Sequence, residues 1–287
     1  MVIHIEIFTD PMMGLSYESE PFLRYLETHF EGNITFSYTM SGLVRDVHDF
    51  MTSDEIALGE EKGIATYNQR LATIYKAEEN ISGLPMNMEN FKLFTPKERS
   101  TILLNLAYKA VELTNPELAE SFLYLLRYKT VAQGRQTTKK KEILKVAKEL
   151  GLDVITFDHV LGSDEVQENL KRDFHRVEQL KIYSLPAYFI SFEGKSILLQ
   201  GFTRLSDFLS AIYHLTMGKY APKLVLQNQN HLLRFLKKHP LISLIELQVA
   251  YDFQTLDDVR NFIAPLVETG RVRFEPDKEG DFIRNIS

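Results

Sequence analysis

Strand-forming segments lie on both sides of a long helical stretch in this chain. Near the start, three isoleucines alternate with polar residues over 3–7, which predicts a β-strand. A turn over 10–14, a helix and a second strand over 34–40 follow. When a helix joins two parallel strands of one sheet, the connection is right-handed in nearly all known cases, and this opening is compatible with such a unit. The chain is therefore expected to open with a βαβ unit.

The pattern is helical from about 41 to about 180, where apolar residues recur every three or four positions. Strands return after this block. Segments 187–192 and 196–200 flank a short glycine-containing turn, which predicts a hairpin, and 205–215 predicts a closing helix. The resulting order is βαβ, a helical block and ββα, which indicates an α/β fold with a helical insertion.

The last part of the chain reads as a second, smaller unit. A first domain is predicted over 1–217, a linker over 218–223 and a C-terminal domain over 224–287. In the C-terminal domain, Ser243 and Thr255 each begin a capping-box pattern for a helix. Three short helices followed by a turn and a strand are the pattern of a winged-helix-like domain.

The amino-acid composition of the chain excludes several classes of function. The 287 residues include no cysteine, which excludes disulfides, thiol catalysis and Cys-ligated metals. The eight histidines are scattered, and no spacing indicates a metal site; no phosphate-binding glycine loop indicates a cofactor. The first residues lack a basic region and an unbroken apolar run, and no stretch is apolar enough for a membrane span. We therefore expect a cytoplasmic protein without metal, cofactor or membrane contact.

One short motif carries a family resemblance. The stretch after the first strand begins with Asp10-Pro11 and ends with Glu20-Pro21, and an X-Pro pair precedes the strand near residue 186. This frame resembles the DsbA family of thioredoxin-fold dithiol oxidoreductases. Together with the C-terminal domain, it more closely resembles the YjbH/SpxH group of Firmicutes. Members of that group are adapters that deliver the transcription regulator Spx to the ClpXP protease.

The resemblance implies where an active site would lie and shows what it lacks. The family loop reads Asp-Pro-x-Cys-x-x-Cys-Trp-x-x-Glu-Pro, so Met13 and Ser16 occupy the two cysteine positions and Tyr17 replaces the tryptophan. Thiol–disulfide exchange needs a thiolate, which neither a thioether nor an unassisted hydroxyl replaces. The resemblance thus implies a vestigial active site, usable for partner binding, at Met13, Gly14, Ser16, Tyr17 and Pro186.

Several local interpretations go with this assignment. Met12 and Met13 could form an adaptable contact surface or fill the space of the lost cysteines. Ser16 is interpreted as a helix N-cap and Pro21 as the site of a helix kink. Asp10 is interpreted as a turn residue.

The function predicted is that of a non-catalytic adapter that binds an Spx-like regulator and, through it, serves ClpXP. The contact is expected in a groove beside Met13, Tyr17 and Pro186, or on the outer face of the helical insertion. A dithiol-disulfide isomerase is disfavoured by the lack of cysteine. A glutathione-transferase-like enzyme, with Ser16 stabilising a bound thiolate, stays an alternative. A DNA-binding regulator is disfavoured because the net charge is −6 and the third C-terminal helix is acidic and interrupted by Pro265.

Overall fold

The computed structural model of the chain describes residues 2–276 and 282–286. The α-helices are α1 (Gly14–Glu18), α2 (Glu20–His29), α3 (Ser53–Ala57), α4 (Glu60–Glu78), α5 (Ile102–Thr114), α6 (Ala119–Arg127), α7 (Lys140–Glu149), α8 (Val154–Leu161), α9 (Asp164–Gln179), α10 (Leu205–Thr216), α11 (Gln229–Lys238), α12 (Leu244–Ala250) and α13 (Leu256–Glu268). The strands are β1 (Ile3–Thr9), β2 (Ile34–Met40), β3 (Ala187–Phe192), β4 (Lys195–Gln200), β5 (Leu241–Ser243), β6 (Val272–Phe274) and β7 (Phe282–Asn285). Short 3₁₀ turns cover Val47–Phe50 and Pro116–Leu118, and a π-helical turn covers Tyr128–Ala132. Across this described part, no helix combines the length and the apolar character needed to cross a membrane.

The first sheet has four strands in the order β2-β1-β3-β4. β1 pairs with β2 in parallel, with Ile3 opposite Ile34, and pairs with β3 in antiparallel. β3 and β4 form the predicted hairpin, whose two-residue turn places Glu193 and Gly194 at positive φ. The sheet and the helical block between β2 and β3 give the predicted α/β architecture.

The helical insertion runs from the end of β2 to the start of β3 and contains α3 to α9. Its helices begin where local signals predict them: the Ser163 hydroxyl accepts from the Val166 N–H at the start of α9. Thr52 and Glu55 form a capping box at α3 that the sequence analysis missed. The apolar faces of these helices continue the core of the sheet, in which Leu104, Phe122 and many others are fully buried.

The C-terminal elements are α11, β5, α12, α13, β6 and β7, and their sheet has the order β5-β7-β6. The winged-helix-like assignment of these elements stays a prediction. Ser243 and Thr255 make the two predicted capping boxes. The predicted interruption at Pro265 is wrong, because α13 continues through it. β5 was not predicted, since three residues are too few to show a strand period.

The C-terminal elements pack directly against α2, a helix that lies between β1 and β2 in the chain. Leu241 of β5 and Phe282 of β7 belong to the main apolar core, and the Phe282 ring meets Tyr128 edge-on at 4.7 Å between centroids. The Lys223 N–H donates to the His29 carbonyl at 2.9 Å. The boundaries at 217 and 224 stay predictions; of the C-terminal range, 277–281 and 287 lie outside the described residues.

The predicted helix is interrupted just before Pro21 and does not kink at it. The helical segment divides at Ser19 into α1 and α2, and Pro21 lies in the first turn of α2. A proline there sacrifices no helical hydrogen bond, because the first N–H groups of a helix have no intrahelical acceptor.

Candidate functional site

The loop after β1 is held by a single buried carboxyl group. Asp10 Oδ1 accepts from the Met12 N–H at 3.1 Å, as expected for a turn residue. Its Oδ2 accepts from the Leu43 N–H at 2.9 Å, the Thr101 hydroxyl at 2.7 Å and the Asn105 amide at 2.8 Å. Burial raises the pKa of Asp10, while these four donors oppose the rise. Asp10 thus fixes the loop against the helical insertion as well as turning it.

Ser16 is not the N-cap that the sequence analysis assigned. α1 begins at Gly14 with Met13 in the N-cap position, and no side chain caps it. The Ser16 hydroxyl lies within the helix, 2.7 Å from the Thr9 hydroxyl and 3.8 Å from Met13 Sδ. The assignment failed because the helix starts one turn earlier than the serine signal indicated.

Four of the five predicted site residues lie in α1 and its N-cap position, the fifth, Pro186, precedes β3, which pairs with β1, and all five are buried. Met13 is 6% exposed, Ser16 3% and Tyr17 0%, and Gly14 and the cis-proline Pro186 are also buried. These side chains themselves are not exposed to a partner in this structure, and the predicted contact in a groove beside them stays a prediction.

Met12 is buried as well, at 2% exposed. Neither it nor Met13 offers a contact surface to a partner. The alternative interpretation, that these methionines fill the space around the loop, agrees with the structure.

The end of α4 and the segment after it close the site. The Tyr75 hydroxyl donates to the Met12 carbonyl at 2.5 Å, and the Tyr17 hydroxyl donates to the Pro85 carbonyl at 3.2 Å. The Ser82 N–H and hydroxyl donate to Glu18 Oε2 at 2.8 and 2.5 Å. These contacts join residues more than 60 positions apart, so no local sequence signal could show them.

Two carboxyl groups in this closure have strongly shifted pKa values. Burial raises the pKa of Glu18 to about 8 and the pKa of Glu78 to about 7. Glu18 Oε1 and Glu78 Oε2 are buried without a hydrogen-bond partner among the described residues. Burial thus favours the neutral form of both carboxyl groups beside the vestigial site.

A buried ion network lies below the loop, and no local pattern in the sequence indicates it. Arg127 donates to Glu20 Oε1 at 2.6 Å and to the Thr9 hydroxyl at 2.5 Å. Arg24 donates to Glu20 Oε2 at 3.0 Å and to Glu246 Oε1 at 3.2 Å. All four charged side chains are at most 2% exposed. Glu20, in the first turn of α2, thus contacts two arginines.

An open groove lies next to the closed loop. Its volume is about 720 Å³, and it begins at Pro85, the residue whose carbonyl holds Tyr17. Its walls come from the segment after α4, the π-helical turn region and the C-terminal sheet. The lining includes Lys76, Met86, Met88, Arg135 and Phe282. The lining thus combines apolar side chains with charged groups of both signs, since Glu89 also contributes to it.

Comparisons with known proteins agree with this geometry. A family model described as Thioredoxin matches residues 7–212. No curated protein sequence is significantly similar to the chain.

Solved structures with the same fold include three bacterial proteins. A putative protein disulfide isomerase from Nitrosomonas europaea has a TM-score of 0.61 and 16% identity, covering 76% of this chain and 100% of its own. A probable DsbA oxidoreductase from Streptomyces coelicolor has a TM-score of 0.57 and 16% identity, covering 78% and 94%. The cytosolic disulfide reductase DsbM from Pseudomonas aeruginosa has a TM-score of 0.52 and 14% identity, covering 82% and 98%. At these identities the likeness shows the fold, and it confirms the predicted thioredoxin-like, DsbA-type class.

Proposed function

The chain belongs to the thioredoxin family, and we propose that within it the protein is a non-catalytic adapter that binds another protein. One observation carries the proposal. The position of the dithiol loop is kept, but Met13 and Ser16 stand at the cysteine positions and α4 closes over them. A domain of this fold without thiolate or open site has binding surfaces but no exchange chemistry.

The partner proposed is an Spx-like transcription regulator, presented in turn to the ClpXP protease. The support is the resemblance to YjbH/SpxH adapters, carried by the frame from Asp10-Pro11 to Glu20-Pro21 together with the C-terminal elements. Since the loop itself is buried, the contact belongs to exposed surfaces near it. The groove at Pro85 is the first of these, and the outer face of the helical insertion, where Ile56 and Leu58 are half exposed, is the second.

Enzymatic alternatives find less support. Several structural relatives bear the names of disulfide isomerases, reductases and oxidoreductases, but this chain has no cysteine. A glutathione-type reaction would need Ser16 to face a bound thiol. Ser16 is 3% exposed, and its hydroxyl already contacts Thr9.

A reconstituted degradation assay tests the proposal. Purified Spx-like regulator from the same organism is incubated with ClpXP and ATP, with and without this protein, and its half-life is followed on gels. We expect direct binding and a shorter half-life when the protein is present. Absence of both effects would refute the adapter proposal and leave the fold assignment intact.

Matched variants locate the surface. Arg135→Glu reverses an exposed charge in the groove, whereas Lys237→Glu makes the same charge change at an exposed position outside both the groove lining and the helical insertion. We expect the first to weaken the regulator's binding and the second to leave it unchanged. If both variants bind the regulator as well as the wild type does, the contact is assigned to the outer face of the insertion.

A further inference from the structure

β4 is the outermost strand of the first sheet, and its free edge has a defined set of backbone groups. In a two-residue hairpin the closing pair, here Phe192 and Lys195, is hydrogen-bonded, and bonded and non-bonded pairs then alternate. The bond from the Gly201 N–H to the Pro186 carbonyl, at 2.8 Å, fits this alternation. The N–H and C=O groups of the intervening non-bonded positions therefore point away from β3. These positions are Ser196, Leu198 and Gln200.

The side chains in the middle of this edge are apolar, at the positions where other edge strands carry groups that prevent pairing with a further strand. Ile197 and Leu199 pack partly against the core, and Leu198 between them is partly buried on the opposite face. At the Gln200 end, Phe202 is 42% and Tyr183 is 85% exposed. Natural edge strands commonly carry a charge or a proline in their middle, which blocks pairing with another strand. β4 has neither between its first and last residues.

Cationic side chains lie at both ends of the edge, and the carboxylates beside them are already engaged, Asp207 by the Arg204 N–H at 2.9 Å. Lys195 begins the strand; Lys181, whose carbonyl accepts from the Gln200 amide at 3.5 Å, lies at the other end, followed by Arg204. All three are exposed, and no ion pair joins them to a carboxylate within residues 2–276 and 282–286. Glu193 in the hairpin turn is paired with Lys219 at 3.6 Å.

We propose that β4 takes up an extended peptide of a partner protein as a fifth strand, one with an apolar centre and acidic residues at both ends. The inference rests on the proposed protein-binding function and names the class of segment bound. Backbone pairing with the three outward positions supplies affinity, and the terminal cations select the acidic flanks.

A second copy of this chain would fit the free edge of β4 less well than a peptide with acidic ends. Antiparallel pairing of two β4 strands about Leu198 would place Lys195 of each copy beside the Gln200 end of the other. Lys181 and Arg204 lie there, so like charges would face each other at both ends of the pair.

Fluorescence anisotropy with a labelled synthetic peptide, DEVTVTVED, tests the proposal on the full-length protein. A peptide with the same side chains and a fully N-methylated backbone, and a peptide with lysine flanks, KKVTVTVKK, are compared with it. We expect the first to bind and each of the others to bind at least about tenfold more weakly. No binding by DEVTVTVED, or equal binding by the N-methylated peptide, would overturn the proposal.

Variants then place the peptide on β4. Leu198→Pro removes an outward N–H without removing a bond to β3, and it should abolish binding while circular dichroism stays unchanged. The pair Lys181→Glu and Lys195→Glu should weaken binding at least about tenfold, whereas Lys62→Glu, an exposed control on α4, should not.

If Leu198→Pro fails to fold, the charge pair and the N-methylated peptide decide the question. Retained affinity in the charge pair would overturn the proposal, as would a dimer in the ultracentrifuge that Leu198→Pro disrupts. The assay contains neither regulator nor protease, so its failure is distinct from failure of the adapter proposal.

Discussion

The carboxyl group of Glu78 lies directly against the backbone of Gly14. A Cβ built on Gly14 would be 2.0 Å from Glu78 Oε2 and 3.0 Å from Tyr75 Cδ1. The glycine is thus needed for close packing of α4, and its φ is not in the left-handed region. This contact, with the hydrogen bond from Tyr75 to Met12, closes the vestigial site.

Gly14→Ala is expected to destabilise the protein by about 1 to 2 kcal/mol, because Tyr75 is held in place and cannot yield. Helix propensity alone predicts the opposite sign, since alanine is favoured over glycine in a helix. Urea denaturation measures the change, with Gly162→Ala, where the nearest atom is 3.7 Å from the added Cβ, as the control. The penalty should be smaller in a Glu78→Ala background. A Gly14→Ala variant more stable than the wild type would contradict the contact.

Glu18 and Glu78 should make stability fall as the pH rises. Both have a raised pKa in the folded state, so their stabilising contribution is complete below the ordinary value of 4.5 and is lost as the pH rises through about 7 for Glu78 and about 8 for Glu18. Glu18→Gln should therefore gain on the order of 2 kcal/mol relative to the wild type between about pH 5 and pH 9. Denaturation curves at several pH values measure the gain. Glu168→Gln, at an exposed surface pair, should show none, and a flat difference for Glu18→Gln would argue against a neutral buried carboxyl.

Removing Arg24 should destabilise the whole chain. Arg24→Met leaves the carboxylates of Glu20 and Glu246 buried with fewer counter-charges, which costs about 3 to 5 kcal/mol. Lys171→Met, which breaks the exposed pair with Glu168, should have little effect on stability because solvent screens that pair. Calorimetry or urea denaturation compares the two. Similar small losses in both would mean that the buried network adds little to stability.

The wild-type protein should reduce no disulfides. In the insulin turbidity assay it should equal the buffer blank, because no thiol is present. Met13→Cys combined with Ser16→Cys should form an intramolecular disulfide, visible as the loss of two hydrogens by mass spectrometry, if the loop keeps the family geometry. Insulin reduction by the wild type would refute the loss of activity, and two permanently free thiols in the variant would refute the retained geometry.

The full-length protein should not bind duplex DNA at physiological salt. The exposed face of α13 carries Asp257 and Asp258, and Arg260 is paired with Asp257 at 2.9 Å. Phosphate contacts require unpaired Lys and Arg, and an acidic helix repels the backbone. A salt-sensitive mobility shift at sub-micromolar protein would contradict this prediction.

Local signals in the sequence were enough for most elements. The alternation over 3–7, the hairpin turn at Gly194 and the hydroxyl caps at Ser163, Ser243 and Thr255 each depend on neighbours within a few residues, and the structure has them. The prediction that Ser16 is an N-cap was wrong because serine is found both at the N-cap and inside the first turn of a helix, where Ser16 is the third residue.

The state of the site could not be predicted in the same way. Its closure depends on Tyr75 and Ser82, which lie more than 60 residues from the atoms they bond. The ion network joins Arg24 to a carboxylate 222 residues away. Such pairs follow from the packing of whole helices, and neither partner's neighbours in the sequence indicate the other.

The bond between Arg24 and Glu246 also bears on how genes for such chains can be recombined. A domain that ends in a flexible tether can be exchanged by joining reading frames at the tether. Here a cut near residue 223 would leave Arg24 without its Glu246 counter-ion and would uncover the apolar surface that Leu241 and Phe282 protect. The C-terminal elements therefore cannot be deleted or swapped as a cassette without compensating changes in α2. A hybrid joined at this point should be recovered only when both sides of the contact come from the same parent.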